Sequence, residues 1–114
     1  MIFCHIVDDY YLQGWLASAK QRKWWEENAP NDLYKYDYIM ALIMHSLSWS
    51  FMIMLPVAIT ISFKIDTTFI IFYILNALIH EFVDNLKANK LKINLIQDQL
   101  IHICQIIITY LILA

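Results

Sequence analysis

The segment YIMALIMHSLSWSFMIMLPVAITISF, Tyr38–Phe63, carries no charged side chain. About 20 helical residues, at roughly 1.5 Å each, cross the hydrocarbon core of a bilayer. The run therefore predicts a transmembrane helix, with Pro56 as a kink of the kind membrane helices tolerate. Two further apolar runs follow it. Thr67–Val83 is of marginal spanning length, and Ile93–Ala114 is of full length with a single charge, Asp98. Their β-branched residues do not argue for strands, because the runs are too long and lack alternation.

On the N-terminal side, Ile2 to about Glu27 reads as a shorter membrane helix, apolar at Ile2, Ile6, Val7, Tyr10, Tyr11, Leu12, Trp15 and Leu16. It closes on Lys20-Gln21-Arg22-Lys23 and then Trp24-Trp25, cations beside aromatics as at a membrane–water boundary. Ala29-Pro30-Asn31-Asp32 breaks it, and Tyr34, Tyr36 and Tyr38 form a second interfacial group. The expected fold is all-α: a polytopic helical membrane protein, a compact four-helix bundle with three full spans and the shorter N-terminal helix. Residues 1–114 form one domain. A hydrophobic share of 61% with a single glycine, Gly14, lies far above the norm for soluble domains and agrees with this reading.

Orientation follows from the basic residues. The loops after the first and third membrane helices hold seven of the eight lysines and arginines, and the second holds only Lys64. The positive-inside rule places the first and third loops in the cytoplasm and both termini toward the opposite side of a bacterial inner membrane. No basic region precedes the first apolar stretch and no small-residue cleavage site follows it, so it does not read as a removable signal peptide. Cys4 and Cys104 form no C-x-x-C pair and read as small apolar membrane residues.

The polar residues inside these apolar runs are the informative ones. His5 and Asp9, His80 and Asp84, and Asp98 and His102 each stand four apart, on one face of a helix. The fourth histidine, His45, lies in the first full span. Measured from the predicted cytoplasmic boundary, all seven fall within about the first 18 Å, a shared layer in one half of the membrane. Imidazole nitrogen and carboxylate oxygen form a ligand set for zinc, manganese or iron. Four histidines and three aspartates exceed the needs of one tetrahedral ion, leaving room for two ions or for residues that orient the ligands. A cation would also neutralise carboxylates that are expensive at this depth. Interhelical hydrogen-bonding pairs and a proton or ion pathway are the competing readings of the same residues.

Glu81 follows His80 as in H-E-x-x-H, but Asp84 stands where that motif has its second histidine. It is the candidate general base, turned about 100° from His80. Gln13, Gln99 and Lys87 are the candidate substrate contacts, with polar packing the competing role of the two glutamines. Asp8 reads as solvated or capping. Ser46, Ser48 and Ser50, and the methionines from Met40 to Met54, read as packing.

The ordered motifs H-x-x-x-D-x-x-x-Q (His5, Asp9, Gln13), a lone histidine (His45), H-E-x-x-D (His80, Glu81, Asp84) and D-Q-x-x-H (Asp98, Gln99, His102) resemble those of a domain family of unknown function. That family comprises small bacterial and phage membrane proteins, and the resemblance covers nearly the whole chain. The chain is more loosely similar to predicted membrane-bound metal-dependent hydrolases of bacteria. A phage origin would make superinfection exclusion or evasion of host defence plausible roles. The functional expectation is a membrane-embedded protein holding one or two divalent ions, zinc or manganese, that hydrolyses a phosphoester or another anionic substrate. A small oligomeric metal-ion or proton channel is the alternative, as is an interaction protein that metal merely stabilises. Membrane lipid is an expected partner and nucleic acid is not.

Overall fold

A computed structural model describes residues 1–113, whose regular structure is all helical, with no strand among them. The chain runs through α1 (Ile2–Val7), a π-helical turn (Asp8–Leu12), α2 (Leu16–Ala19), α3 (Arg22–Asn28), a 3-10 turn (Asp32–Tyr34), α4 (Asp37–Thr60), α5 (Thr67–Ala88) and α6 (Leu95–Leu113). The last three helices are long and apolar enough to cross a membrane. α4 is the central element and packs along α5, while α1 and its π turn lie against α4, and α6 against α5.

The N-terminal region departs from the single helix over Ile2–Glu27 that its apolar pattern predicts. Helical structure stops at Gln13, and Gly14 takes φ +55°, a left-handed conformation that costs a glycine little. The chain restarts as α2 and breaks again before α3. This strap returns over one end of the bundle. Asn89, after α5, donates to the Lys20 carbonyl at 2.9 Å and accepts the Arg22 N–H. The first and third loops therefore meet at the same end, as the topology requires.

α4 continues through Pro56 as one helix and ends at Thr60. Phe63 N–H bonds the Ala58 carbonyl at 2.8 Å, closing a tight turn in which Ser62 and Phe63 both have positive φ. Asp66 then caps α5 by accepting from Phe69 N–H.

Burial is inverted relative to a soluble bundle. Ile70, Ile71, Ile74, Leu78, Phe82, Ile107, Ile108 and Leu111 face outward, whereas His5, Asp8, His45, Asn76, His80, Asp84, Asp98, His102 and Gln105 are buried. A dry cluster of Trp49, Ile53, Met54 and Ile106 fills the bundle beyond this polar layer. Trp49 is the floor between them, its indole stacked on the His80 ring with centroids 4.1 Å apart.

Candidate metal centre

The three long helices deliver their polar side chains at one level. His45 lies eight residues into α4, His80 eight residues before the end of α5, and His102 seven residues into α6. At the helical rise, each is about 10–12 Å from the strap end of the bundle. α1 and its π turn add His5, Asp8 and Asp9 from the side. The wider i→i+5 turn lets both neighbouring aspartates face α4, which an α-helical turn would set about 100° apart.

Two overlapping groups have the composition and spacing of a metal site: Asp9, His45 and His80, and His80, Asp84 and His102. In the first, His45 Nε2 lies 3.1 Å from His80 Nε2 and 3.3 Å from Asp9 Oδ1, and His80 Nε2 lies 3.8 Å from that oxygen. Atoms sharing one tetrahedral ion with bonds of about 2.0–2.1 Å stand roughly 3.3 Å apart. Asp84 joins the two groups. Its Oδ2 is 3.4 Å from His45 Nε2 and 3.5 Å from His80 Nε2, and its Oδ1 is 3.3 Å from His102 Nε2. Asp98 Oδ1 reaches the same His102 nitrogen at 3.2 Å.

The outer carboxylate oxygens are held by the protein. Asp98 Oδ2 accepts from Lys87 Nζ at 3.0 Å and from Gln99 Nε2 at 2.9 Å, and Gln99 also reaches Asp9 Oδ2. Lys20 returns from the strap to donate to Asp84 Oδ2 at 2.8 Å. The inner oxygens differ. Asp9 Oδ1 and Asp98 Oδ1, which face the imidazoles' Nε2 atoms, are buried with no hydrogen-bond donor, as is Asp8 Oδ2 beside His45 Nδ1. An unsatisfied buried carboxylate oxygen is costly, and two in one layer point to a positive group between them. Charge gives the same answer: four aspartates, Asp8, Asp84 and Asp98 buried and Asp9 nearly so, face only two ammonium groups, Lys20 and Lys87.

Of the seven expected ligands, six converge. His5 stands beside the centre and is corrected to an orienting role. Trp49 Nε1, a donor only, bonds His5 Nδ1 at 2.7 Å, so His5 carries its hydrogen on Nε2 and donates it to Gln99 Oε1 at 2.9 Å. Both nitrogens are committed. Gln99 is thereby fixed to brace two carboxylates. Gln13 bonds the Asp9 carbonyl, stabilising the end of the π turn. Glu81 lines a 230 Å³ groove between α4 and α5 with Ile43, Ser46 and Leu47, about 100° round its helix from His80.

Four contributors lay outside the expected set. Asp8 is buried, not solvated: Ser48 donates to its Oδ1 at 2.7 Å, and its Oδ2 faces His45 Nδ1 at 3.7 Å. Those two facing atoms make no hydrogen bond with each other or with any other group. Lys20, Trp49 and Gln105 complete the set. The i,i+4 rule had no means of finding Asp8, because its contacts, Ser48 and His45, are on α4 and not on its own helix.

The principal cavities lie away from the cluster. The largest, 540 Å³, is apolar and sits between α4 and α6 against the start of α1, lined by Met1, Pro56, Val57 and Ile106 among others. Asp9, Gln13, Lys87 and Gln99 keep partial exposure, so approach to the centre is from the π turn and the start of α6. No family model, curated protein or solved structure matches this chain.

Proposed function

We propose that this chain is a protein of the bacterial inner membrane that holds a divalent cation, zinc or manganese, between its helices. In this reading it uses the ion to hydrolyse a phosphoester or another anionic substrate at the cytoplasmic side. The observation that carries the proposal is the pair of donor-less buried oxygens, Asp9 Oδ1 and Asp98 Oδ1, each facing imidazole nitrogens of His45, His80 or His102. The outward apolar side chains and buried polar ones support the membrane setting, since exposed apolar surface of this extent needs a lipid or protein cover. The membership suggested by the four motifs is part of the same proposal.

A bound ion would supply water acidified toward neutral pH and a Lewis acid for a phosphoryl oxygen. The protein's own groups would fix the ligand oxygens through Gln99, Lys20 and Lys87. Lys87, with Lys90 and Lys92 beyond it, would also attract an anion to the half-exposed side. The same lysines serve topology and lipid attraction.

The channel alternative draws on the run of imidazoles, with His45, His80 and His102 linked at 3.1 and 3.2 Å. That run lies across the bundle at one depth, and Trp49, Ile53, Met54 and Ile106 close the path beyond it. Conduction through one chain is therefore the weaker reading.

Metal content of protein purified without chelator tests the proposal first. At least one zinc or manganese per chain is expected, and metal-free protein that binds none on addition overturns it. Turnover of a phosphomonoester and phospholipid panel, abolished by His45→Ala, then tests hydrolysis. Bound metal without turnover on any of them would leave a metal that cross-links helices and discard the enzyme.

A further inference from the structure

The cluster divides into two groups, one at each oxygen of the Asp84 carboxylate. Gln105 donates through Nε2 to the Asn76 backbone carbonyl at 3.2 Å, and a carbonyl can only accept. The Gln105 amide is therefore oriented with Oε1 toward His102 Nδ1, 3.0 Å away. Asn76 is anchored in turn by Thr109, whose hydroxyl accepts from Asn76 Nδ2 and donates to the Gln105 carbonyl. This chain fixes the hydrogen of His102 on Nδ1. In the neutral imidazole His102 Nε2 is then a lone pair, and it faces two carboxylate oxygens, Asp84 Oδ1 at 3.3 Å and Asp98 Oδ1 at 3.2 Å. A proton on Nε2 or a cation in its place would satisfy both carboxylate oxygens.

The same pattern recurs across Asp84. His45 Nε2 faces Asp9 Oδ1 at 3.3 Å and Asp84 Oδ2 at 3.4 Å, the latter oxygen also accepting from Lys20 Nζ at 2.8 Å. Each half thus contains one imidazole Nε2, one oxygen of Asp84 and one donor-less oxygen of another aspartate. His80 stands between the halves, its Nδ1 3.2 Å from His102 Nδ1, which carries the hydrogen, and its Nε2 directed at His45 and Asp84.

We propose that this chain binds two divalent cations, one at His45, Asp9 and Asp84 and a second at His102, Asp98 and Asp84, with the Asp84 carboxylate bridging them and His80 acting as a positioning residue. The inference rests on the metal-binding reading above and specifies it. Two divalent ions exceed the two negative charges left over in the buried layer, so the loaded centre is cationic. It would be completed by an anion, such as hydroxide or a phosphoester oxygen, which two adjacent ions clamp from both sides.

Manganese(II) is the probe. Wild-type protein in detergent, stripped with chelator and reloaded, is expected to bind two manganese ions per chain and to show an exchange-coupled electron paramagnetic resonance signal. Asp98→Asn and Asp9→Asn, which preserve shape, should each bind one ion with an uncoupled six-line spectrum. Gln105→Leu, which unlocks the His102 tautomer without touching a ligand, should weaken the second ion at least tenfold and spare the first. One ion in wild type, or two ions with no coupling, overturns the two-cation assignment and leaves the metal-binding reading standing. No bound ion in wild type overturns both. Wild-type stoichiometry decides these cases even where a variant fails to fold.

Discussion

Trp49 donates its indole N–H to His5 Nδ1 at 2.7 Å, and this one bond determines how two other helices present their carboxylates. It forces the His5 hydrogen onto Nε2, which holds Gln99, which braces Asp9 and Asp98. Trp49→Phe keeps the ring over His80 and removes only the donor. It leaves a buried acceptor unpaired, a loss of about 1–3 kcal/mol. It should also lower cation affinity about 10–100-fold, as removal of groups that orient metal ligands does. Thermal unfolding in detergent and a zinc titration measure the two effects. A titration identical to wild type would show that His5 and Gln99 do not orient the centre.

Lys20 and Asp84 form a buried ion pair at 2.8 Å between the strap and α5. Lys20→Met removes the charge and keeps most of the stem. Breaking a buried pair from one side costs about 3–5 kcal/mol, so the cation-free variant should unfold well below wild type. Cation binding should change in the opposite direction, because a competing positive charge has gone. Added zinc should therefore raise the unfolding midpoint of Lys20→Met by more than that of wild type. Equal increments would mean that the Lys20 ammonium and the ion do not share the Asp84 carboxylate.

Acid should weaken cation binding. His45 and His102 offer lone pairs to an ion, and protons compete for the same nitrogens, so binding releases protons. Zinc affinity measured between pH 8 and pH 5.5 should fall steadily as pH is lowered. A pH-independent affinity would place the ion elsewhere than on these imidazoles.

The three His–Asp pairs were readable because four-residue spacing maps onto one face of any α-helix, whatever that helix packs against. The same rule hid Asp8, whose contacts Ser48 and His45 lie on another helix and which looked like the solvated neighbour of Asp9. Lys20 was hidden for another reason: in sequence it is one cation of a basic turn, and only the strap's return over α5 brings it to Asp84. Gln105 and Trp49 look like ordinary members of apolar runs. Their roles depend on which hydrogen each partner carries, and that is a property of the assembled network. The break at Gly14 was legible in principle, as the sole glycine of the chain, but the amphipathic pattern continues across it and favoured one helix.

Gly14 takes φ +55° with open space where a Cβ would stand, so substitution there tests the backbone alone. Gly14→Ala should destabilise by about 1–2 kcal/mol, the cost of a left-handed conformation for a residue with a Cβ. Gly14→Asn should cost less, because asparagine tolerates that region through its own side-chain hydrogen bonds. The order Gly, Asn, Ala in unfolding midpoint is the expected result. Alanine equal to or better than glycine would mean that Ile2–Ala19 forms one continuous helix, which would carry Lys20 away from Asp84.

Membrane orientation is open to the most direct test. The strap and the loop after α5 meet through Asn89, so both must emerge on one side, and they carry Lys20, Arg22, Lys23, Lys87, Lys90 and Lys92. The positive-inside rule puts that side in the cytoplasm. In a background with Cys4 and Cys104 replaced by serine, Lys90→Cys should resist a membrane-impermeant maleimide in intact cells and react after permeabilisation. Lys64→Cys, in the loop between α4 and α5, should show the reverse, with labelling in intact cells. The opposite pattern at both positions would invert the protein and put the metal centre's open side toward the exterior. Labelling at neither position in permeabilised cells, in protein shown to be folded, would argue that these loops are covered by a partner chain.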